Sequence, residues 1–272
     1  MDAKVGRAAP IAGLPMYDWP EVRLETDRFW ACLHNSFSSR GIATPALLDR
    51  EIDLHGLWKK ESLAIAQTCG FPFATLLAGH TRLIGAPAYD LDCLPGYYYS
   101  CLIVPARRPC SLAGFAGRVA VNGFNSQSGY VALLTALAAE NGGAIPDLDM
   151  IVSGSHRESL RLVATGAADL AAIDAVSLLL ARRHTHEAAD VQVIGRSAPT
   201  PGLPLITALQ GPDLALFREA VAEAIDALDE PARHALGLKG FVALDAADYD
   251  TIAATWAGLQ PALGQARLTI RG

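Results

Sequence analysis

Three short turns hold the residues with the clearest chemistry. The first is Asn125-Ser126-Gln127-Ser128-Gly129, the second Ser153-Gly154-Ser155-His156, and the third is Asp174, which closes the run "DLAAID". Each follows an apolar run. After the first, a helix is expected over 128–141, and a helix start gathers unpaired N–H groups and the positive end of the dipole. An anion placed there takes hydrogen bonds from those amides, and small side chains let it approach. Ser126 and Ser128 add hydroxyl donors, Gln127 an amide N–H, and Gly129 removes a Cβ that would crowd the ligand. Either serine is equally able to serve as a plain N-cap.

Ser155 and His156 stand just before a helix expected over 157–165. Successive strands of a parallel sheet end at the same edge, so these two residues should converge on the turn 126–128. Asp174 ends the next strand at that edge. It can cap the following helix with Ser177, accept from a ligand hydroxyl, or fix His156. Ser128, His156 and Asp174 also have the types of a nucleophilic triad in the chain order Ser–His–Asp. No G-x-S-x-G elbow accompanies them, which weighs against a hydrolase. His184 and His186 lie two apart on an expected helix and so on different faces, which reads as solvated residues rather than metal ligands. No cofactor, metal or catalytic residue is expected.

These turns need strands and helices to hold them. Strands are expected at 118–123, 148–154, 169–174 and 191–196, with helices at 128–141, 157–165 and 176–189 between them. Earlier come a strand at 7–13 and a helix at 22–40 with Trp30, Leu33 and Phe37 on one face. An apolar stretch at 43–49, a short helix around Leu57 and the run 62–70 follow. Strands at 81–89 and 97–106 lead to a short helix in "SLAGFAG". Near the C-terminus an amphipathic helix fills 213–228 and the stretch 230–260 reads as helical. Apolar strands alternating with amphipathic helices indicate an α/β class built on parallel sheets covered on both faces.

Two Pro/Gly-bearing stretches, "LDCLPGYYY" (91–99) and "SAPTPGLPL" (197–205), interrupt the alternation. Read as hinge crossings, they divide the chain into a discontinuous lobe of 1–97 plus 199–272 and an inserted lobe of 98–198. Two α/β lobes joined by two crossings leave a cleft, the usual place for a ligand.

Composition narrows the function classes. The chain has 272 residues, 51% of them hydrophobic, with 22 Lys+Arg against 28 Asp+Glu. Without a basic run it carries no nucleic-acid footprint. No apolar stretch reaches the ~18–20 residues of a membrane span, so no membrane insertion is expected. The opening "MDAKVGRAAPIAGLPMYDWP" lacks the apolar core of an export signal. A periplasmic location is expected if a leader has been trimmed, and a cytoplasmic one if the chain starts as written. Cys32, Cys69, Cys93, Cys101 and Cys110 show no metal spacing and read as buried thiols; Cys69 with Cys93 is the pair to test if the protein is exported. Trp30, Trp58 and Trp256 read as packing residues, with Trp19 set apart by its closeness to Tyr17.

"NSQSGY" followed by "SGSHRESLRLVATGAADLAAIDAVS" resembles the phosphate/phosphite/phosphonate-binding components of ABC transporters, which have the type 2 periplasmic-binding-protein fold. "GLPMYDWPEV", "LAIAQTCGFP" and "APAYDLDCLPGYYYSCLIVP" extend the similarity over most of the chain; the C-terminal helices are its least diagnostic part. The resemblance implies a two-lobed, non-enzymatic protein that closes on a small anion and delivers it to an ABC permease. It places Ser126, Gln127 and Ser128 on the family's Ser-Thr-Ser turn, with Gln127 replacing the middle hydroxyl. His156 matches the histidine of the Gly-Ser-His turn, and Asp174 the strand-closing aspartate, which would favour a cationic or hydroxyl-bearing end of the ligand. Tyr17 is the implied aromatic contact from the first lobe, with Tyr97 or Tyr98 beside it. A second family tyrosine falls where this chain has Thr68 and Cys69. Binding is expected to weaken as pH rises through the His156 pKa, about 6.5 for an ordinary imidazole. The same fold could instead serve a cytoplasmic sensor, or bind another small metabolite such as a thiamine-precursor pyrimidine.

Overall fold

The computed structural model describes residues 8–108 and 110–271. Residues 1–7, which carry Lys4 and Arg7 and the start of the expected strand at 7–13, lie outside the described residues, as do Pro109 and Gly272.

The chain opens with β1 (Ile11–Gly13), α1 (Arg23–Ser39), α2 (Leu54–Trp58), β2 (Leu63–Gln67), α3 (Gly70–Thr75) and β3 (Arg82–Tyr89). It crosses through β4 (Tyr97–Tyr98) into β5 (Ser100–Pro105), β6 (Arg118–Val121), α4 (Ala132–Glu140) and β7 (Leu148–Val152). Then come α5 (His156–Ala164), β8 (Leu170–Asp174), α6 (Ala175–His184) and β9 (Val191–Arg196). The return runs through β10 (Thr200–Pro201) to β11 (Leu205–Thr207), α7 (Leu214–Ala227), α8 (Glu230–Leu236) and β12 (Leu238–Val242). The last elements are α9 (Asp250–Leu263) and β13 (Leu268–Arg271).

Two sheets result, in the strand orders β1-β2-β11-β3-β12 and β13-β7-β6-β8-β5-β9, with β4 and β10 pairing antiparallel between them. The chain is α/β, as its pattern predicts, but neither sheet is purely parallel. β13, β7, β6 and β8 run parallel, whereas β5 is antiparallel to both β8 and β9. In the other sheet β11 is antiparallel to β2 and β3, and β12 to β3. The strands that enter from a crossing arrive from the opposite end, so they pair in the opposite sense. Apolar periodicity reports burial on both faces and carries no information about direction.

The C-terminal segment corrects the expected division at 199–272. β13 pairs with β7 in register Leu268↔Leu148 through Arg271↔Ile151, so the chain returns to the sheet of the inserted lobe. α9 contacts both halves: Trp256 lies 5.3 Å from Phe71 of α3 and 5.9 Å from Tyr130, ring centroid to ring centroid. The stretch 230–260 is also not continuous helix. Gly237, at φ +67, ends α8, and "LKGFV" becomes β12. A glycine in the left-handed region is the usual helix stop. Residues 43–49 and "SLAGFAG" form turns and irregular chain rather than regular elements.

Elsewhere the amphipathic patterns bury as their spacing requires. Phe217 of α7 is fully buried, 5.5 Å edge-to-face from Phe37 of α1. Burying such a side chain contributes about 1.5–3 kcal/mol. β8, β2 and β5 are buried along their whole length.

Candidate functional site

The C-terminal ends of β6, β7 and β8 lie side by side at one edge of the six-stranded sheet, and the segments leaving them meet a cavity of about 430 Å³. One wall comes from this sheet: Asn122, Asn125, Ser126 and Ser128 after β6, Gly154 to Arg157 after β7, and Asp174 at the end of β8. The facing wall comes from the other half, through Tyr17, Trp19, Trp58 and Cys69 among others. Of the nine residues expected to bind, Ser126, Ser128, Ser155, His156, Asp174 and Tyr17 line this space. Gln127, Gly129 and Thr68 do not.

The helix head after Ser126 differs from the expected anion seat. The helix begins with a π turn, Gln127–Val131, before α4 continues it. Both Tyr130 N and Val131 N donate to Ser126 O, at 3.2 and 3.1 Å. Gly129 N donates to Ser126 Oγ at 2.9 Å, and Gln127 N donates to Cys69 Sγ at 3.3 Å. The amides that were to hold an anion are thus engaged by the protein's own serine and cysteine. Burial pushes the Cys69 thiol above its ordinary pKa, so the sulfur stands there as a neutral acceptor. Gln127 is 3% exposed, and Gly129 makes room for Asn122 rather than for a ligand. A Cβ at position 129 would lie 1.8 Å from Asn122 Oδ1 and 3.2 Å from His156 Cε1. Thr68 is fully buried beside Cys69, and the cysteine is the one that reaches the cleft.

The head of α5 is different. Gly154, at φ +83, turns the chain, and Ser155 caps the helix by accepting from Glu158 N at 3.1 Å. The amides of His156 and Arg157, first and second in the helix, then remain as its orphan donors among the described residues. All four residues face the cavity.

His156 ties the two heads together. Its Nε2 is 2.7 Å from Ser128 Oγ and 3.5 Å from Asp174 Oδ2, while Nδ1 is buried and has no partner among the described residues. A nucleophilic triad needs the carboxylate on one ring nitrogen and the nucleophile on the other. Here both share Nε2, and the hydrolase geometry is absent. Burial lowers the His156 pKa, with Asp174 opposing the shift, so the ring is neutral at pH 7.

Asp174 is 2% exposed and fully engaged. Its Oδ1 accepts from Ser177 N at 2.9 Å and from Tyr17 OH at 3.1 Å, and its Oδ2 from Ser177 Oγ at 2.5 Å. It is the N-cap of α6, and Ser177 and Tyr17 together supply three hydrogen bonds to it. Tyr17 is therefore a bridge between the halves, and burial followed by the Asp174 charge pushes its hydroxyl pKa up. Behind it, Tyr89 packs edge-on at 5.2 Å and accepts from Gln67 Nε2 at 3.1 Å. Tyr98 is buried in the crossing with its hydroxyl unpartnered among the described residues, and Tyr97 pairs with Pro201; neither lines the cavity.

Three further contacts span the cleft. Arg157 pairs with Glu21 at 2.8 and 3.0 Å and stacks over Trp19 at 4.9 Å. Asn125 Nδ2 and His55 Nε2 are 2.9 Å apart, and Cys69 meets Gln127 as above. Asn122, Asn125, Cys69, Arg157 and Trp58 line the cleft without having been among the residues expected to bind, although Asn125 opens the first turn and Cys69 stands at the place of a family tyrosine. Arg157, directly after His156 in the turn already singled out, was the most findable. Cys69 and Cys93 are both free thiols, the second directed at Tyr97 O, so the pair named for testing in an exported protein is not formed here. No cluster suited to a metal exists among the described residues, and none of their helices is long and apolar enough to cross a membrane.

Comparison with known proteins places this architecture. The sequence model of the family described as ABC transporter, phosphonate, periplasmic substrate-binding protein matches residues 63–249, more than half of the chain. The chain belongs to that family, whose members are substrate-binding transport components rather than enzymes. Its fold is that of the type 2 periplasmic binding proteins. A Xanthomonas citri protein bound to chloride ion superimposes with a TM-score of 0.69 at 17% identity, covering 94% of this chain and 99% of that one. PhnD1 from Prochlorococcus marinus in complex with methylphosphonate gives 0.69 at 15%, covering 93% and 98%. A binding-protein component of an ABC phosphonate transporter from Pseudomonas aeruginosa gives 0.68 at 16%, covering 93% and 87%. Among curated proteins, none matches the chain.

Proposed function

We propose that this chain is the receptor of an ABC importer, working on the outer side of the cytoplasmic membrane, and that it binds a phosphate- or phosphonate-type oxyanion at the head of α5. The observation that carries the reading is the turn Gly154–Arg157, whose two orphan amides face the cleft beside the hydroxyls of Ser126, Ser128 and Ser155. Family membership supports the transport role and an anionic ligand. An oxyanion set there would take amide and hydroxyl hydrogen bonds from one half and touch Tyr17 and Cys69 from the other, so binding would favour contact between the halves.

A thermal-shift screen of the full chain against phosphate, methylphosphonate, sulfate and malate tests this. An anion at a hundred times its Kd stabilises by about 2.7 kcal/mol, a rise of several degrees in Tm for a chain of this size. A flat response to every phosphorus oxyanion, or a response to malate alone, defeats the reading.

A further inference from the structure

The two walls of the cleft are chemically unlike. The wall on the six-stranded sheet is polar: Asn122, Asn125, Ser126, Ser128, Ser155 and His156. The facing wall is largely apolar, with Met16, Trp19, Leu54, Trp58 and Pro72 turned to the same space. Of the two carboxylates in the lining, one is paired with a cation and the other, 2% exposed, accepts hydrogen bonds from the protein's own neutral groups. Asp174 is thus shielded by Tyr17 and Ser177, and the Asp18 charge is met by Arg50, at 2.5 Å from Nε. The space is also far too large for a bare tetrahedral oxyanion. Its 430 Å³ falls in the range of about 300–1,000 Å³ that suits an organic ligand, while one water occupies only about 30 Å³.

From this division we infer that the ligand is an amphiphilic oxyanion: a phosphorus-type head carried on an uncharged aromatic or bulky hydrocarbon body. The inference rests on the proposed anion seat and adds what the rest of the ligand must be. The head lies against the α5 turn, and the body lies against Met16, Leu54 and Trp19, whose ring also carries the Arg157 guanidinium. Burying that body removes apolar surface on both partners from water, and an indole ring and a thioether suit a flat, polarisable group. An aminoalkyl tail would instead lose its hydration against an apolar wall, with the Asp174 carboxylate set behind Tyr17 and Ser177.

Isothermal titration of the full chain with phosphate, methylphosphonate, 2-aminoethylphosphonate, phenylphosphonate and benzyl alcohol tests this. Phenylphosphonate is expected to bind at least about tenfold more tightly than either the methyl or the aminoethyl compound, and benzyl alcohol far more weakly. Leu54→Ala, at a position that is 40% exposed and tolerant of truncation, should lower the phenyl-to-methyl affinity ratio by about threefold or more. If methylphosphonate or 2-aminoethylphosphonate binds as tightly as the phenyl compound, the inference fails while the anion seat stands. If no phosphorus compound binds, or benzyl alcohol matches phenylphosphonate, the anion seat itself fails and takes the inference with it.

Discussion

Two helix heads point at the same cleft from adjacent strand ends, and they are finished in opposite ways. After β6 the chain widens into a π turn, and its leading amides go to Cys69 Sγ and Ser126 Oγ. After β7, a glycine at φ +83 and the Ser155 cap leave the first two amides of α5 without an acceptor. The motif with more donors in its sequence is the sealed one, and the sparser Gly-Ser-His turn stays open. Donor type alone does not make a site; what matters is whether another part of the chain arrives first. Cys69, 58 residues away, arrives first at Gln127.

The largest expected effect falls on the open head. His156→Asn should weaken binding of methylphosphonate by about 1.5–3 kcal/mol, roughly ten- to a hundredfold, by titration calorimetry near pH 6. In the unaltered protein, affinity should rise as pH falls. Burial holds the free ring below 6.5, an adjacent anion pulls its pKa back up, and binding therefore takes up a proton between the two values. Affinity independent of pH would remove His156 from the seat.

Without ligand the sign reverses for stability. The unfolded ring titrates near 6.5 and the folded one lower, so the neutral folded ring costs nothing above about 6.5. Below that, stability is progressively lost until the pH passes the folded value. His156→Asn should flatten that part of the urea-midpoint profile.

The sealed head is probed through its plug. Cys69→Ala leaves Gln127 N as a buried donor without an acceptor and should destabilise by about 1–3 kcal/mol in urea melts, whereas Cys69→Ser keeps an acceptor and should lose less. If millimolar phosphate restores Cys69→Ala to full stability, the first head is a latent anion site and the contrast between the heads becomes one of occupancy. Ser155→Ala should cost about 1 kcal/mol through loss of the cap, read from the same melts. The smallest effect belongs to the latch across the cleft. A double-mutant cycle on Arg157 and Glu21 should give a coupling below about 1 kcal/mol, because both side chains are well exposed.

Much of this was legible along the chain. Period-3.6 and continuous apolar runs located β6 to β9 and the helices between them within a few residues, because burial is written directly in residue type. The convergence of Ser126, Ser155 and Asp174 on one edge followed from strand order in a parallel sheet, and the two crossings followed from Pro and Gly. Three things were not legible. The antiparallel entry of β5 and β11 has no compositional mark. β13 is mostly exposed and weakly patterned, so nothing in it announced a return to β7. The cap that Asp174 makes with Ser177 was among the readings its position allowed, but only packing reveals that Tyr17 has met the same carboxylate.

Residue order by itself determined the α/β class, the two-sheet plan, the three turns at one sheet edge and kinship with the phosphonate-receptor family. Those features depend on local periodicity and on short contiguous motifs. Tertiary structure alone decided which helix head is open, which carboxylate is engaged and which wall of the cleft is apolar. Each of those depends on contacts between residues tens to more than a hundred positions apart, and hydrogen-bond satisfaction is settled by distance in space rather than by neighbourhood in the chain.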